Sequence, residues 1–424
     1  MRVAILNQFY APDLSPTAHL AASLATHRVA RGDEVTVVAG AGDYTGRGPD
    51  RGGRTAGRRR GRRGRRDGGP RVLRVWNPGL GRVRVAARLL DYLAFSAGAL
   101  ARVLALPRQD VVVVMTTPPF LVVAAVAHKL LRGRGRPCGV VLWSMDCYPD
   151  AAERYGTIRP GGLASRSLRA LNRWSYRHLD DVVCLDDAMV DLLRPQYAPA
   201  AGDSPRFTVI PNWEPLALFP PASGAPPAWA GYTADPLLTD RFVVLYQGNL
   251  GYGHPYATVL GAAARLEADG DAVGWLFMGG GARWDALGAE ARAAGLRHLV
   301  RHGYLPKAEI TDVLAGAGAS LIILDAHALG VMSPSKLHSS LATGRPILYV
   351  GPQGSNVDDA IERFGCGVSL REGDVDGLVA AVRRLRDDPG WAADVSARAR
   401  TAFETAYCDA TTLPAFDAII ERRP

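Results

Sequence analysis

"RVAILNQFYAPDLSPTAHLAASLATHRVARGDEVTVVAG" (residues 2–40) decides the fold class. Its first nine residues form a short apolar run, typical of a strand buried on both faces of a parallel sheet. Ser15 is then placed to cap a helix, Pro16 to open it and Gly32 to end it. "DEVTVVAG" is a second strand of the same kind. Strand, helix and strand in this order make a βαβ unit with a right-handed crossover, so the chain belongs to the α/β class.

The same alternation continues outward. Strands are expected at "RVLRVW" (71–76), "DVVVVMTT" (110–117), "CGVVLWSMD" (138–146), "DDVVCLD" (180–186) and "RFTVIPNW" (206–213), with helices at 84–105, 121–131 and 165–179. Residues 215–240 are rich in Pro, Gly and Ala and read as an interdomain connection. A second series opens at "RFVVLYQGNLG" (241–251). It continues through "GWLFMGGG" (274–281), "LVRHGYLP" (299–306), "ASLIILD" (319–325), "SPSKLHSSLATGRPILYV" (333–350) and "GCGVSLREGD" (365–374). Helices are expected at 255–267, 282–294, 307–315 and 375–387, and one last helix over 391–419. The expected organisation is a first doubly wound domain over 1–214, a connection over 215–240 and a second domain over 241–402. The final segment, 403–424, is expected to return to the first domain.

A chain of 424 residues, 48% apolar and 21% charged, has room for two such cores. The net charge of +9 is local. Residues 47–71 hold eleven arginines and two aspartates, 11 − 2 = +9, so the remainder sums to zero. A Gly/Arg segment has no apolar side chains to bury, and disorder or a solvated loop is expected there. No aromatic residues interleave with these arginines, which argues against a nucleic-acid partner. The five cysteines form no CxxC pair, and His, Asp and Glu show no metal-ligand spacing, so neither a metal nor a disulfide framework is expected. A strand starting at residue 2 leaves no room for a signal peptide. Together with the cysteine usage, this gives a cytoplasmic expectation.

In open α/β sheets the ligand lies beyond the carboxyl ends of the strands, so the turns there carry the candidates. In "SPSKL", Lys336 falls in the first helical turn, where the helix dipole disfavours a cation. A bound diphosphate would offset this, held by Ser333, Ser335, the free N–H groups and the lysine itself. A surface lysine turned outward is the plain alternative. "GNLGYGH" offers Gly248, Asn249, Gly251 and His254, and "GGG" at 279–281 offers Gly280, with ordinary tight turns as the alternative. Asp146 and Asp150, flanking "CYP", could meet a hydroxyl or act only in capping and ion pairing.

The ordered set "NQFYAPDLSPTA", "MTTPPF", "MDCYPDAAERYG", "VIPNW", "YQGNLGYGH", "HGYLP" and "PSKLHSSLATGRPIL" resembles the family 4 retaining glycosyltransferases, in the branch used for bacterial polysaccharide and aminosugar transfer. The resemblance spans nearly the whole chain apart from 47–71. It implies the GT-B fold, two doubly wound Rossmann-like domains facing across a cleft. It also implies a nucleoside-diphosphate-sugar donor (UDP-, GDP- or dTDP-linked), with no metal and no cofactor required. Gly303, Tyr304 and Leu305 match the segment that contacts the base. Lys336, with Ser333, Ser335 and Leu337 around it, matches the basic motif at the diphosphate, and Asp146 and Asp150 fall on the acceptor side. One departure stands out: Met332 and Ser339 occupy positions where many members carry glutamates.

The implied reaction moves a sugar to a hydroxyl of a small-molecule or polyprenyl-linked acceptor with retention, using Lys336, Asp146 and Asp150 as catalytic candidates. A nucleotide-sugar 2-epimerase of the same fold and a non-catalytic sugar-nucleotide binder are the rival readings. Helix 84–105, with arginines around an apolar face, is open to two readings: burial on the sheet, or peripheral contact with an anionic membrane.

Overall fold

The computed structural model describes residues 1–422 except 14, 42–67, 77, 79–84, 134, 199–204, 220–228 and 306. Most of the Arg-rich segment and the middle of the Pro/Gly/Ala-rich connection therefore lie outside the described residues. The chain divides into two compact units.

The first unit holds residues 1–185, 189–210 and 413–424. Its seven strands are β1 (Arg2–Leu6), β2 (Glu34–Gly40), β3 (Arg71–Val75), β4 (Val111–Met115), β5 (Gly139–Trp143), β6 (Asp181–Cys184) and β7 (Arg206–Val209). They pair in parallel in the order β3-β2-β1-β4-β5-β6-β7. The apolar runs read from the sequence are the central strands: every residue of β4 and β5 is buried. Ser15 caps the helix Pro16–Ala30 by accepting from the Ala18 N–H, with Pro16 in its first turn.

The second unit holds residues 186–188 and 211–412. Its strands are β8 (Phe242–Asn249), β9 (Val273–Gly280), β10 (Leu299–His302), β11 (Ala319–Ile323), β12 (Ile347–Val350) and β13 (Gly367–Leu370). They are also parallel, in the order β10-β9-β8-β11-β12-β13. Each sheet thus reverses its direction of chain progression once, between β1 and β4 in one and between β8 and β11 in the other. In doubly wound sheets that reversal marks the ligand crevice.

Several elements differ from the sequence reading. Helices Asp150–Arg154, Asp187–Tyr197 and Asn356–Phe364 were not anticipated, being short, mixed in polarity and, for Asp187–Tyr197, containing Pro195. Residues 229–238 are part of a folded core: Tyr232 and Leu238 are buried with Val313 and Leu314, and the Tyr232 hydroxyl donates to Val313 O at 2.6 Å. The single last helix is two, Pro389–Ala402 and Asp409–Glu421, joined by a π-type turn over Phe403–Tyr407. Cys408 breaks the run because it is extended (φ −102°, ψ 162°) and bridges Glu214. Asp409 then accepts from the Leu216 N–H at 2.9 Å. From Leu413 onward the second helix packs on the first unit: the Phe416 ring lies 4.5 Å from that of Trp143, and the Asp417 carboxylate accepts from Arg28 at 2.7 Å.

Candidate functional site

In the second unit the turns after β8, β9 and β11 converge at the reversal. β8 and β9 stay paired to their ends, with Gly248 opposite Gly279 and Asn249 opposite Gly280. Gly279 has φ +138°, and any Cβ there would overlap the Gly248 carbonyl, so only glycine lets the two strand ends run this close. Gly248 has φ +102°, and a Cβ on it would stand 3.5 Å from Lys336 Cε. Asp325, just after β11, donates its N–H to the Gly253 carbonyl at 2.9 Å, tying the two turns across the reversal.

Lys336 sits among these turns. Its Nζ lies 4.8 Å from the centroid of the Tyr246 ring, which stacks on Phe277 and donates its hydroxyl to Asn249 O at 2.8 Å. Among the described residues no carboxylate pairs with the ammonium. Desolvation lowers its pKa to about 8, because a cation removed from water without an anion is held at a cost. Ser339 and Ser340 both donate to the Lys336 carbonyl, and Gln247 Nε2 donates to Ser339 Oγ at 2.9 Å. The helix bearing the lysine is only Lys336–Ala342, with Ser335 at its cap position and no side-chain cap bond. Helical geometry begins only at Lys336, so Ser333 and Pro334, a local pattern suited to capping and opening a helix, precede it. A seven-residue helix has a small dipole, so the lysine charge carries the electrostatics of this turn.

His254 adds a donor. The Gly251 N–H points at His254 Nδ1 at 3.2 Å, which makes Nδ1 the acceptor and puts the ring proton on Nε2. Burial first, and the nearby Lys336 charge second, depress its pKa to about 3, so the imidazole stays neutral. A neutral ring with a fixed Nε2–H can donate to an anion without adding a second desolvated charge. Tyr304 is 67% exposed and its ring covers Gly280, where a Cβ would come within 3.1 Å of it. Gly303 precedes it, while Leu305 packs into the core beside Tyr232. Leu337 is fully buried, so only its backbone is free to face a ligand; Ser333 is half-buried and Ser335 exposed.

In the first unit Asp146 follows β5. Its N–H and that of Met145 both donate to Thr116 Oγ1, at 3.1 and 2.9 Å, fixing the loop to the end of β4. Burial raises the Asp146 carboxyl to about 6. It lines a small hollow with Phe120, Leu121, Leu142 and Tyr176 among its walls. Phe120 holds φ +65°, a strained backbone for a residue with a side chain. Asp150 is differently placed. It is buried in the first turn of Asp150–Arg154, and its Oδ1 accepts from Arg169 at 2.9 Å and from Gln196 at 3.3 Å. That carboxylate has protein partners, and the geometry gives it a place in an ion-pair network with Glu153 rather than an open face.

Residues 17–213 match the Glycosyl transferase 4-like domain. The probable glycosyltransferase WbjE of Pseudomonas aeruginosa is 27% identical over 254 residues, which is 58% of this chain and 59% of that protein. Glycogen synthase of Mycobacterium tuberculosis is 27% identical over 239 residues, 56% of this chain and 53% of that one. The chain thus spans somewhat over half the length of these curated relatives. Among solved structures, sucrose-phosphate synthase from Thermosynechococcus elongatus aligns over 100% of this chain and 98% of its own, with TM-score 0.70 and 13% identity. Anabaena HepE, solved in complex with UDP and glucose, aligns over 100% of both chains with TM-score 0.67 and 12% identity. The fold is GT-B, as in these glycosyltransferase structures.

Two residues at the second-unit turns escaped the sequence reading. Gln247 carried no signal, as a lone polar residue at a strand end. His338 reads in the sequence as an exposed candidate without a partner; instead it is buried, and its Nδ1 lies 3.1 Å from the Ser335 carbonyl, steadying the turn before Lys336. No grouping of three or more His, Cys, Asp or Glu side chains that could hold a metal occurs among the described residues.

Proposed function

We propose that the chain is a glycosyltransferase that uses a nucleoside-diphosphate sugar and transfers the sugar to an acceptor hydroxyl with retention of configuration. One observation carries this reading: Lys336 is a desolvated cation with no carboxylate partner among the described residues, set between glycine-lined turns at the sheet reversal. A diphosphate supplies the missing anion. As the sugar–phosphate bond breaks, negative charge grows on the leaving oxygens. Lys336 Nζ, His254 Nε2–H and the glycine-rich backbone are fixed in advance and need no reorganisation to stabilise it. Asp146, loop-anchored through Thr116, orients the acceptor hydroxyl as a carboxylate. The matched domain, the named relatives and the UDP-bound HepE structures support the donor class. A nucleobase laid against Tyr304 fits the exposed ring there.

The test is turnover of UDP-, GDP- and dTDP-sugars with and without candidate hydroxyl acceptors, read by release of nucleoside diphosphate and by NMR of the new anomeric centre. Acceptor-dependent release with retained configuration supports the reading. Donor consumed to an epimer without any acceptor overturns it.

A further inference from the structure

Two carboxylates follow β5, and the first unit answers only one of them. Arg169 donates to Asp150 at 2.9 Å and to Glu153 at 2.6 Å, so its guanidinium is already shared between two anions. Even so, the buried Asp150 Oδ2 has no partner among the described residues. Asp146 has none for either oxygen. Its backbone N–H is tied to Thr116 Oγ1, but no donor and no cation among the described residues meets the carboxyl group. Burial alone accounts for its raised pKa, with no charge acting on it from elsewhere in the described chain.

The hollow that Asp146 lines lies at the carboxyl ends of β4 and β5, beside the reversal of the first sheet. Leu121 and Leu142 make its wall apolar, and Phe120 and Tyr176 bring aromatic rings to it. Its other polar side chains are engaged: Ser144 Oγ lies 3.7 Å from Cys147 Sγ, and Asn172 donates to the Tyr148 carbonyl at 2.7 Å. The space admits a head group the size of a water molecule and not a sugar ring. An anion there is repelled by the carboxylate. A neutral hydroxyl donates one bond but leaves the charge uncompensated between apolar walls. An ammonium supplies both the donors and the opposite charge, and aromatic faces attract it further.

We propose that this hollow is a subsite for a primary ammonium, and that the acceptor is an amino alcohol with its ammonium vicinal to the reacting hydroxyl. The subsite stands on the geometry around Asp146; the acceptor class rests on the transfer reaction proposed above. A carboxylate offers two oxygens side by side. One accepts from the ammonium while the other accepts from the hydroxyl on the adjacent carbon, so the group that anchors the acceptor also orients the attacking oxygen. Held as an ammonium, the nitrogen has no lone pair and does not compete with the hydroxyl for the sugar. The acceptor oxygen bonds to the sugar carbon, the sugar–phosphate bond breaks, and the hydroxyl proton leaves with the diphosphate. Binding of the cation also completes a desolvated charge that the described chain leaves alone.

The experiment titrates cis-2-aminocyclohexanol, protonated at neutral pH, and its neutral counterpart cis-1,2-cyclohexanediol into the full chain and into Asp146→Asn, followed by saturation-transfer NMR of the probe. The native chain is expected to bind the amino alcohol about tenfold or more tightly than the diol, the worth of one hydrogen bond between charged partners. Asp146→Asn is expected to lose that preference and keep its melting temperature, because an unpaired carboxyl holds nothing together. Equal affinity of the native chain for the two probes overturns the proposal, and that comparison needs no variant. So does a preference that survives in Asp146→Asn, or no binding of the amino alcohol by the native chain. Turnover separates the two claims. A diol that accepts sugar as well as the amino alcohol does overturns the acceptor class and leaves the transfer reaction standing. Selective binding of the amino alcohol by a chain that transfers no sugar supports the subsite and overturns the transfer reading.

Discussion

Arg28 and Lys336 are both cations drawn away from water, and they are provided for in opposite ways. Arg28 is 2% exposed and touches three carboxylates: Asp33, Asp417 and Glu421, at 2.5 to 2.7 Å. Burial works to lower its pKa, but the bonds from Glu421, Asp417 and Asp33 outweigh it and the guanidinium is held above its ordinary value. Lys336 has an aromatic face and carbonyl-anchored neighbours, but no carboxylate among the described residues, and its pKa falls to about 8. A buried charge completed by its own chain is a structural joint. One left incomplete, in a turn kept open by glycines, is built for a charged visitor.

The largest expected effect separates the two. Arg28→Ala removes the buried guanidinium that joins Asp33, Asp417 and Glu421, leaving Asp33 only the N-terminal ammonium and Asp417 only His27 and Arg31, and is expected to cost about 3 kcal/mol of stability, the low end for breaking a buried pair. Urea unfolding measures it, and nucleotide affinity should be unchanged. A loss of affinity with intact stability would break the comparison. Lys336→Ala is expected to do the reverse. It should lower kcat/KM by about 10²-fold, as removal of one preorganised donor at an oxyanion does, and should not lower the melting temperature of the ligand-free protein. Unchanged kinetics would take Lys336 out of the site.

Asp146 sharpens the picture from the other unit. Its carboxyl titrates near 6 because burial disfavours the anion. The acting form is the carboxylate, so kcat/KM should fall as pH drops through about 6. Asp146→Asn should abolish that acid limb and lower the plateau by about 10²-fold. An identical limb in the asparagine variant would assign it elsewhere. The smallest expected effect is at His254. Its single neutral donor should be worth about tenfold in nucleotide affinity on substitution by alanine, in the range of one hydrogen bond to a charged group. Because the ring is neutral throughout, no pH-dependence should be lost with it.

What could be read in advance follows from the strength of local signals. Buried parallel strands announce themselves as apolar runs, and β1, β2, β4, β5, β8, β9 and β11 lie where such runs are. Glycine turns and "PSKL" marked the strand ends that surround Lys336. The break at Cys408 was invisible, because its cause is pairing with Glu214, nearly two hundred residues away in sequence. Ser333-Pro334 is a good local opening, yet helical geometry begins only at Lys336, followed by the buried Leu337 and His338. Asp146 and Asp150 looked equivalent as sequence. Arg169, nineteen residues beyond Asp150, distinguishes them by occupying one and leaving the other.

The most direct measurement is calorimetric titration of UDP, GDP and dTDP into the native chain and Lys336→Met between pH 7 and pH 9.5. An anion favours the protonated lysine, so it binds best where the free protein already carries that proton. Affinity for at least one of the three nucleotides should therefore hold below pH 8 and decline as pH rises through about 8. In Lys336→Met it should be weaker and flat across that window. Equal affinity in both proteins, or no binding of any of the three, would contradict the assignment of a diphosphate to Lys336.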